Sequence, residues 1–146
     1  KDLFMHQPVQ FMVFQKKIVL PSFSKGFHLI TDYVTKELPK ITGVAHVFIQ
    51  HTSASLTINE NADPSVRSDF ETFFNRIVPE DINLYTHIEE GLDDMTSHIK
   101  SSLLGSSVSF PINNGKPQWG IWQGIYLCEH RYNSRNREIM ITAYGE

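Results

Sequence analysis

Disulfides play no part in this chain. Cys128 is its one cysteine, so no internal bridge can form, and a reducing, cytoplasmic setting is the expectation. Cys128 lies in the apolar run GIYLCEH, where a buried, inert thiol is favoured over a nucleophile. Long apolar runs are missing too. None approaches the roughly 18 residues of a membrane span, and KDLFMHQPVQ lacks the layout of a signal peptide. There is no basic excess: 13 Lys and Arg stand against 16 Asp and Glu, a net charge of −3. That excludes binding driven by neutralising nucleic-acid phosphates. Low-complexity segments, long linkers and internal repeats are absent, as are a phosphate loop, an HExxH zinc motif and a recognisable nucleophile–base pair.

What is present fits one globular domain over residues 1–146, with residues 1–9 as a loose N-terminal segment. The chain is 40% hydrophobic and 20% charged, and this length can bury a core without disulfides. Seven histidines are the compositional oddity, and histidine is both a common metal ligand and a proton carrier near neutral pH.

Gln10 to Leu20 reads as a strand ending at Pro21. Phe27, Ile30, Val34 and Leu38 recur at helical spacing before Pro39, which predicts a helix. Gly43 to His51 is a buried-type strand and Ser55 to Glu60 a short second one. Asp63 caps a helix with Pro64 at its first position, its apolar face formed by Val66, Phe70, Phe73, Phe74 and Ile77. Pro79 to Leu92 looks irregular. Asp93 opens a further helix with Met95, Ile99 and Leu103 inward and Gly105 as its stop. Ser107 to Ile112, Gln118 to His130 and Arg137 to Ala143 are strands, the first two joined by an Asn-Gly turn and the three expected as an antiparallel meander. The order predicts an α+β fold with a largely antiparallel or mixed sheet and about three helices. Closure into a barrel is one arrangement that would remove the sheet edges.

Polar residues gather in HTSASLTINENADP, His51 to Pro64. His51 sits at the end of a buried strand, followed by the hydroxyls of Thr52, Ser53 and Ser55; Asn59, Glu60 and Asn61 come at the end of the next. Such groups beside an apolar core must find partners, so the segment reads as one wall of a pocket. Asp94 and His98, four apart on one helix face, suggest a second wall. The carboxylate could orient the imidazole, both could hold one metal ion, or they could be a helix-start aspartate and a surface histidine. His87 lies just ahead of that helix. Histidines 51, 87 and 98 match no compact zinc motif, yet could converge as a three-histidine site with an open fourth position. Glu129, at the end of an apolar run, needs a partner such as Arg131, Arg135 or Arg137. Trp119 and Trp122 could stack on a flat ring, though core packing is the simpler use.

The segments FIQHTSASLTINENADPSV, EEGLDDMTSHIKSSLLG, FPINNG and WGIWQGIYLCEHR resemble the YjbQ family, also called UPF0047, over about Gln15 to Glu146. The resemblance implies a small α+β fold, a homotrimer with a pocket near a subunit boundary, and a thiamine-phosphate synthase activity, which could be a side activity of a site with another use. The family's recurrent polar positions fall on His51, Thr52, Asn59, Glu60, Asp63, His87, Asp94, His98, Gln123, Glu129 and Arg137; His130 and Arg131 look like a subgroup feature. From these, His51, His98 and Glu129 are the catalytic candidates. Thr52, Asn59, Glu60, Asp94, Gln123 and Arg137 are the substrate-binding candidates. His51, His87 and His98 are the metal candidates, for Mg²⁺ or a transition metal such as Zn²⁺. Asp93, Asp94 and Glu60 are the set for Mg²⁺, and Lys100, Arg67 and Arg137 the cations for phosphate. The expected partner is a phosphorylated small molecule. A non-enzymatic binding module and a metal-dependent hydrolase are the competing readings.

Overall fold

Alternation along GVAHVFI explains the main sheet. In strand β3 (Gly43–Ile49), Ala45, Val47 and Ile49 are buried, while Phe48 points outward and is 41% exposed, the period-two pattern of a strand with one face on a core. The computed structural model describes residues 10–133 and 135–146; the loose segment expected over residues 1–9 lies outside them. The other elements are β1 (Met12–Val19), β2 (Gly26–Leu29), α1 (Thr31–Thr35), β4 (Ala54–Glu60), α2 (Pro64–Ile77), α3 (Leu92–Leu104), β5 (Ser107–Asn113), β6 (Lys116–Pro117), β7 (Gln123–Glu129) and β8 (Glu138–Gly145).

Two antiparallel sheets form, ordered β1-β8-β3-β5-β6 and β2-β7-β4. The class is α+β, with three helices and no closed barrel among the described residues. The core lies between the sheets and includes Leu20, Ile30, Val47, Ile49, Leu56, Ile125, Leu127, Ile139 and Ile141. The small sheet is also covered on its outer face. There Phe27, Tyr126 and Cys128 are buried against Phe70 and Phe74 of α2, and α3 packs on β4. Covering on both faces is why β7 reads as a near-continuous apolar run. Trp119 packs on Phe110 at 4.6 Å between ring centroids, whereas Trp122 is exposed.

Four expectations are corrected. The helical spacing of Phe27, Ile30, Val34 and Leu38 is shared between β2 and the short α1; pairing with β7 from Gly26↔Glu129 to Leu29↔Tyr126 overrides it. Gln118–Ile121 are not strand, and β7 starts at Gln123. The expected meander does not form: β7 joins the small sheet, while β5 and β8 flank β3 in the large one. In α3 the inward residues are Asp93, Asp94, Thr96, Ser97 and Lys100, not the Met95–Ile99–Leu103 stripe, and Leu103 is 59% exposed.

That inward polar face is possible because each member has a partner. Thr96 and Ser97 donate their hydroxyls back to the Asp93 carbonyl at 3.2 and 2.5 Å. Lys100 donates to Asn75 Oδ1 at 2.7 Å, and Arg131 serves both aspartates. Gly105 ends the helix at φ +104°, a conformation that favours glycine. Asp63 caps α2 by accepting from Ser65 N at 2.9 Å, with Pro64 at the first position.

Candidate functional site

Helical spacing and a preceding turn bring three ligand-type side chains together. Asp94 and His98 stand one turn apart on α3, and His87 reaches them from the segment before the helix. His87 Nε2 is 2.6 Å and His98 Nε2 3.1 Å from Asp94 Oδ2, and the two rings lie 5.5 Å apart. The three ligand atoms all fall within 4.8 Å of one another. Asp94 is buried, His98 half-buried and His87 exposed. The set therefore has a fixed inner wall and an open outer side.

His98 has its ring direction set from behind. Its Nδ1 lies 2.9 Å from the Thr52 carbonyl oxygen. A carbonyl only accepts, so Nδ1 carries the proton. In a neutral ring Nε2 then presents a lone pair to Asp94. Burial raises the Asp94 carboxyl pKa, but the His87 hydrogen bond and the charges of His98 and Arg131 outweigh it, leaving it below its ordinary value.

His98 also lines a cavity of about 530 Å³ with His51, Thr52, Ser101, Ser102, Gly105 and Ser106. Four of the seven lining residues carry hydroxyls, and among the described residues none is a lysine or arginine. The run SSLLGSS supplies most of the wall. Its first five residues fall within a segment that carries the family resemblance, but none of the seven is a ligand-type or charged residue that would mark a site by itself. An added Cβ at Gly105 would meet nothing within 4 Å.

The remaining candidates are placed as follows. His51 is on the cavity wall, but its Nε2 accepts from Glu138 N at 2.8 Å; burial, then the Arg137 charge, lower its pKa. Its ligand atoms do not join the His87–Asp94–His98 group. Glu129 is fully buried. Arg137 donates to it through Nε at 2.7 Å and Nη2 at 2.5 Å, and Arg131 N donates at 3.2 Å. Arg137 further holds the loop after β3 through Ser53 Oγ at 2.9 Å and Ser53 O at 3.2 Å. This pair is internal structure and does not line the cavity. Asn59, Glu60 and Gln123 lie together at the far end of β4, in the register Glu60↔Gln123. Glu60 accepts from Ala62 N and Asp63 N at 2.7 and 2.8 Å, and Gln123 from Gly120 N at 2.6 Å. Asn59 accepts from Glu60 N at 2.8 Å.

Asp93 accepts from Arg131 Nε at 3.1 Å and from Tyr132 N at 2.8 Å. Lys100 is buried on Asn75, away from the cavity wall. Burial raises the Cys128 thiol pKa to about 12, which makes it inert. His130 is 2% exposed, lies 2.8 Å from Ser55 Oγ, and is lowered to about 3 by burial, then by Lys100, Lys25 and Arg137; it stays neutral.

Fold and site define a small α+β protein with a histidine–aspartate group at the rim of a hydroxyl-lined cavity. The family described as UPF0047 protein YjbQ-like matches residues 16–146, and the chain belongs to that family. It is 51% identical over 139 residues to the UPF0047 protein YjbQ of Escherichia coli O157:H7, covering 92% of this chain and 100% of that one. A conserved hypothetical protein of Thermus thermophilus shares the fold at TM-score 0.79 and 30% identity, over 86% of this chain and 97% of that one. A YjbQ/UPF0047 protein of Clostridium acetobutylicum gives 0.68 and 34%, over 89% and 97%. Among the described residues no helix is long and apolar enough to cross a membrane.

Proposed function

We propose that this chain is a metal-dependent enzyme acting on a phosphorylated small molecule, with a divalent cation held by His87, Asp94 and His98. One observation carries this. The Thr52 carbonyl holds the proton on His98 Nδ1, so Nε2 is the ring nitrogen that faces the Asp94 carboxylate oxygen, 3.1 Å away. That contact is closed either by a proton, as in an imidazolium–carboxylate pair, or by a metal ion. His87 as a third donor on the open side, with all three ligand atoms within 4.8 Å of one another, favours the metal. Two nitrogens and one oxygen suit Zn²⁺ or a similar transition metal better than Mg²⁺, which prefers oxygen throughout. Three protein ligands with one open position is the pattern of a catalytic rather than a structural zinc site.

A bound cation supplies Lewis-acid stabilisation of charge on a phosphoryl oxygen or leaving group. It matters here because, among the described residues, the cavity wall has no lysine or arginine. The chain's own groups orient and bind: Thr52 O aims His98, Arg131 holds Asp94, and Ser102 and Ser106 offer hydroxyls to the ligand. Thiamine-phosphate formation is the candidate reaction, on the strength of the family resemblance, and its phosphates would sit toward the cation. We take the working unit to be a homotrimer. The exposed Phe73, Ile77, Leu92 and Leu103 on α2 and α3 support an apolar contact between copies. A binding module without turnover is the second reading, favoured by the locked Glu129–Arg137 pair and the inert Cys128.

The test measures Zn²⁺ binding and thiamine-phosphate formation from the two phosphorylated precursors, with wild type and His98→Ala side by side. The enzyme reading expects stoichiometric zinc and turnover in the wild type, both lost in a folded His98→Ala. Zinc without turnover on these precursors, or on simple phosphate esters, selects the binding module. No zinc in the wild type removes the metal reading.

A further inference from the structure

We propose that Arg131 is the positioning residue of the metal-ligand group, forcing Asp94 to offer a single oxygen and keeping the occupied site cationic toward an anionic ligand. The proposal rests on the reading of His87, Asp94 and His98 as ligands. Arg131 is 7% exposed, and each edge of its guanidinium has a different task. Nη1 donates to Asp94 Oδ1. Nε donates to Asp93 Oδ2 at 3.1 Å. Nη2 donates to the Glu90 carbonyl at 3.0 Å. The first contact occupies one Asp94 oxygen and leaves only Oδ2 for the histidine side. The second holds the neighbouring carboxylate, which would otherwise repel Asp94 in a buried setting. The third ties down the segment between His87 and α3, and with it the distance at which His87 meets Asp94.

The arginine is itself held on both sides. Its backbone N–H donates to Glu129 Oε2 at 3.2 Å, and that of Tyr132 donates to Asp93 Oδ2 at 2.8 Å. A lysine cannot reproduce this arrangement, because an ammonium is a point charge without a planar fork.

Charge follows from the same contacts. Asp93 and Asp94 carry two negative charges, and Arg131 cancels one. A divalent ion on two neutral imidazoles and this trio keeps one net positive charge, and without Arg131 it keeps none. With no lysine or arginine on the cavity wall among the described residues, that residual charge is what a phosphorylated ligand would meet.

The experiment titrates the full chain with Zn²⁺ alone against a chromophoric chelator, and records Co²⁺ spectra, for wild type, Arg131→Met and Arg131→Lys. The expected result is a zinc affinity lower by about 10- to 100-fold in Arg131→Met, the usual effect of removing a group that orients a ligand. The Co²⁺ ligand-field bands should change in shape as Asp94 gains freedom to bind through both oxygens. Arg131→Lys should be weaker than wild type as well, and it decides the matter if Arg131→Met does not fold. A purely structural arginine would lower the melting temperature without moving the zinc affinity or the Co²⁺ bands of the folded protein. A folded variant within about twofold of wild type with unchanged bands, or one that binds zinc more tightly because a nearby positive charge is gone, overturns the proposal. A wild type that binds no zinc overturns the ligand reading and this proposal together, whereas a binding wild type with an indifferent variant overturns this proposal alone.

Discussion

Replacing Lys100 by methionine should stabilise the protein near neutral pH and remove a pH dependence that the wild type carries. Lys100 is 1% exposed on the inward face of α3, and Asn75 Oδ1 is its hydrogen-bond acceptor at 2.7 Å. The same oxygen accepts from Lys25 at 2.8 Å, so a second cation crowds it. Burial first, then the Lys25 charge, lower its pKa from 10.5 to about 8. The protonated amine therefore costs the fold about 3 kcal/mol relative to the neutral one. Below about pH 8 both folded and unfolded chains hold the proton, and the full cost applies. Between there and 10.5 the folded amine releases its proton while the unfolded one keeps it, so stability rises with pH by about 1.4 kcal/mol per pH unit.

Cys128 acts in the opposite sense. Its thiol, raised from 9.0 to about 12, stays protonated in the fold while the unfolded thiol ionises, so stability falls above 9.0. Both proteins carry Cys128, and its contribution cancels in their difference. Lys100→Met should thus exceed wild type by about 2 kcal/mol near pH 7, once about 1 kcal/mol is allowed for the lost hydrogen bond to Asn75. That excess should vanish at about pH 9.5. Urea unfolding of both proteins at matched pH values reads it directly. A difference that stays constant across that range to within about 0.5 kcal/mol refutes the reasoning.

Two further predictions concern the frame around the site. Arg137→Met leaves Glu129 charged, fully buried and without its bidentate partner. It should cost about 3–5 kcal/mol in denaturant unfolding, and the double variant Glu129→Leu with Arg137→Met should recover most of that loss. Gly43→Ala would place a Cβ 2.1 Å from the Tyr144 carbonyl oxygen and 2.8 Å from Gly145 Cα. With backbone on the far side, a loss of at least about 2 kcal/mol is expected; a melting temperature unchanged from wild type would show that β3 and β8 can separate there.

Much of the site was legible because its geometry is local. Asp94 and His98 share a face by helical spacing alone, and Asp63 with Pro64 marks a helix start whatever surrounds it. The family resemblance placed His87 beside them. What escaped the sequence depends on which element comes to lie opposite. His51 and His98 face one cavity, yet His51 Nε2 is taken by the Glu138 N–H, a contact between the end of β3 and the start of β8. Arg131 looked like a subgroup feature and a partner for Glu129; nothing local shows that its three side-chain acceptors lie on residues about 40 positions earlier in the chain.

The amino-acid sequence by itself determined the α+β class, most strand positions, the start of α2, the stop of α3 and the pairing of Asp94 with His98. All of these follow from local propensity, short-range spacing or capping. The tertiary structure decided that Phe27 belongs to a strand, that α3 turns its polar side inward, and that Asp94 rather than His51 completes the group with His87 and His98. Apolar periodicity identifies a face that avoids water; it does not say whether the opposite face has been supplied with partners. Here Arg131, Asn75 and the helix's own carbonyls satisfy the polar face of α3. That allows it to be buried and leaves Leu103 exposed.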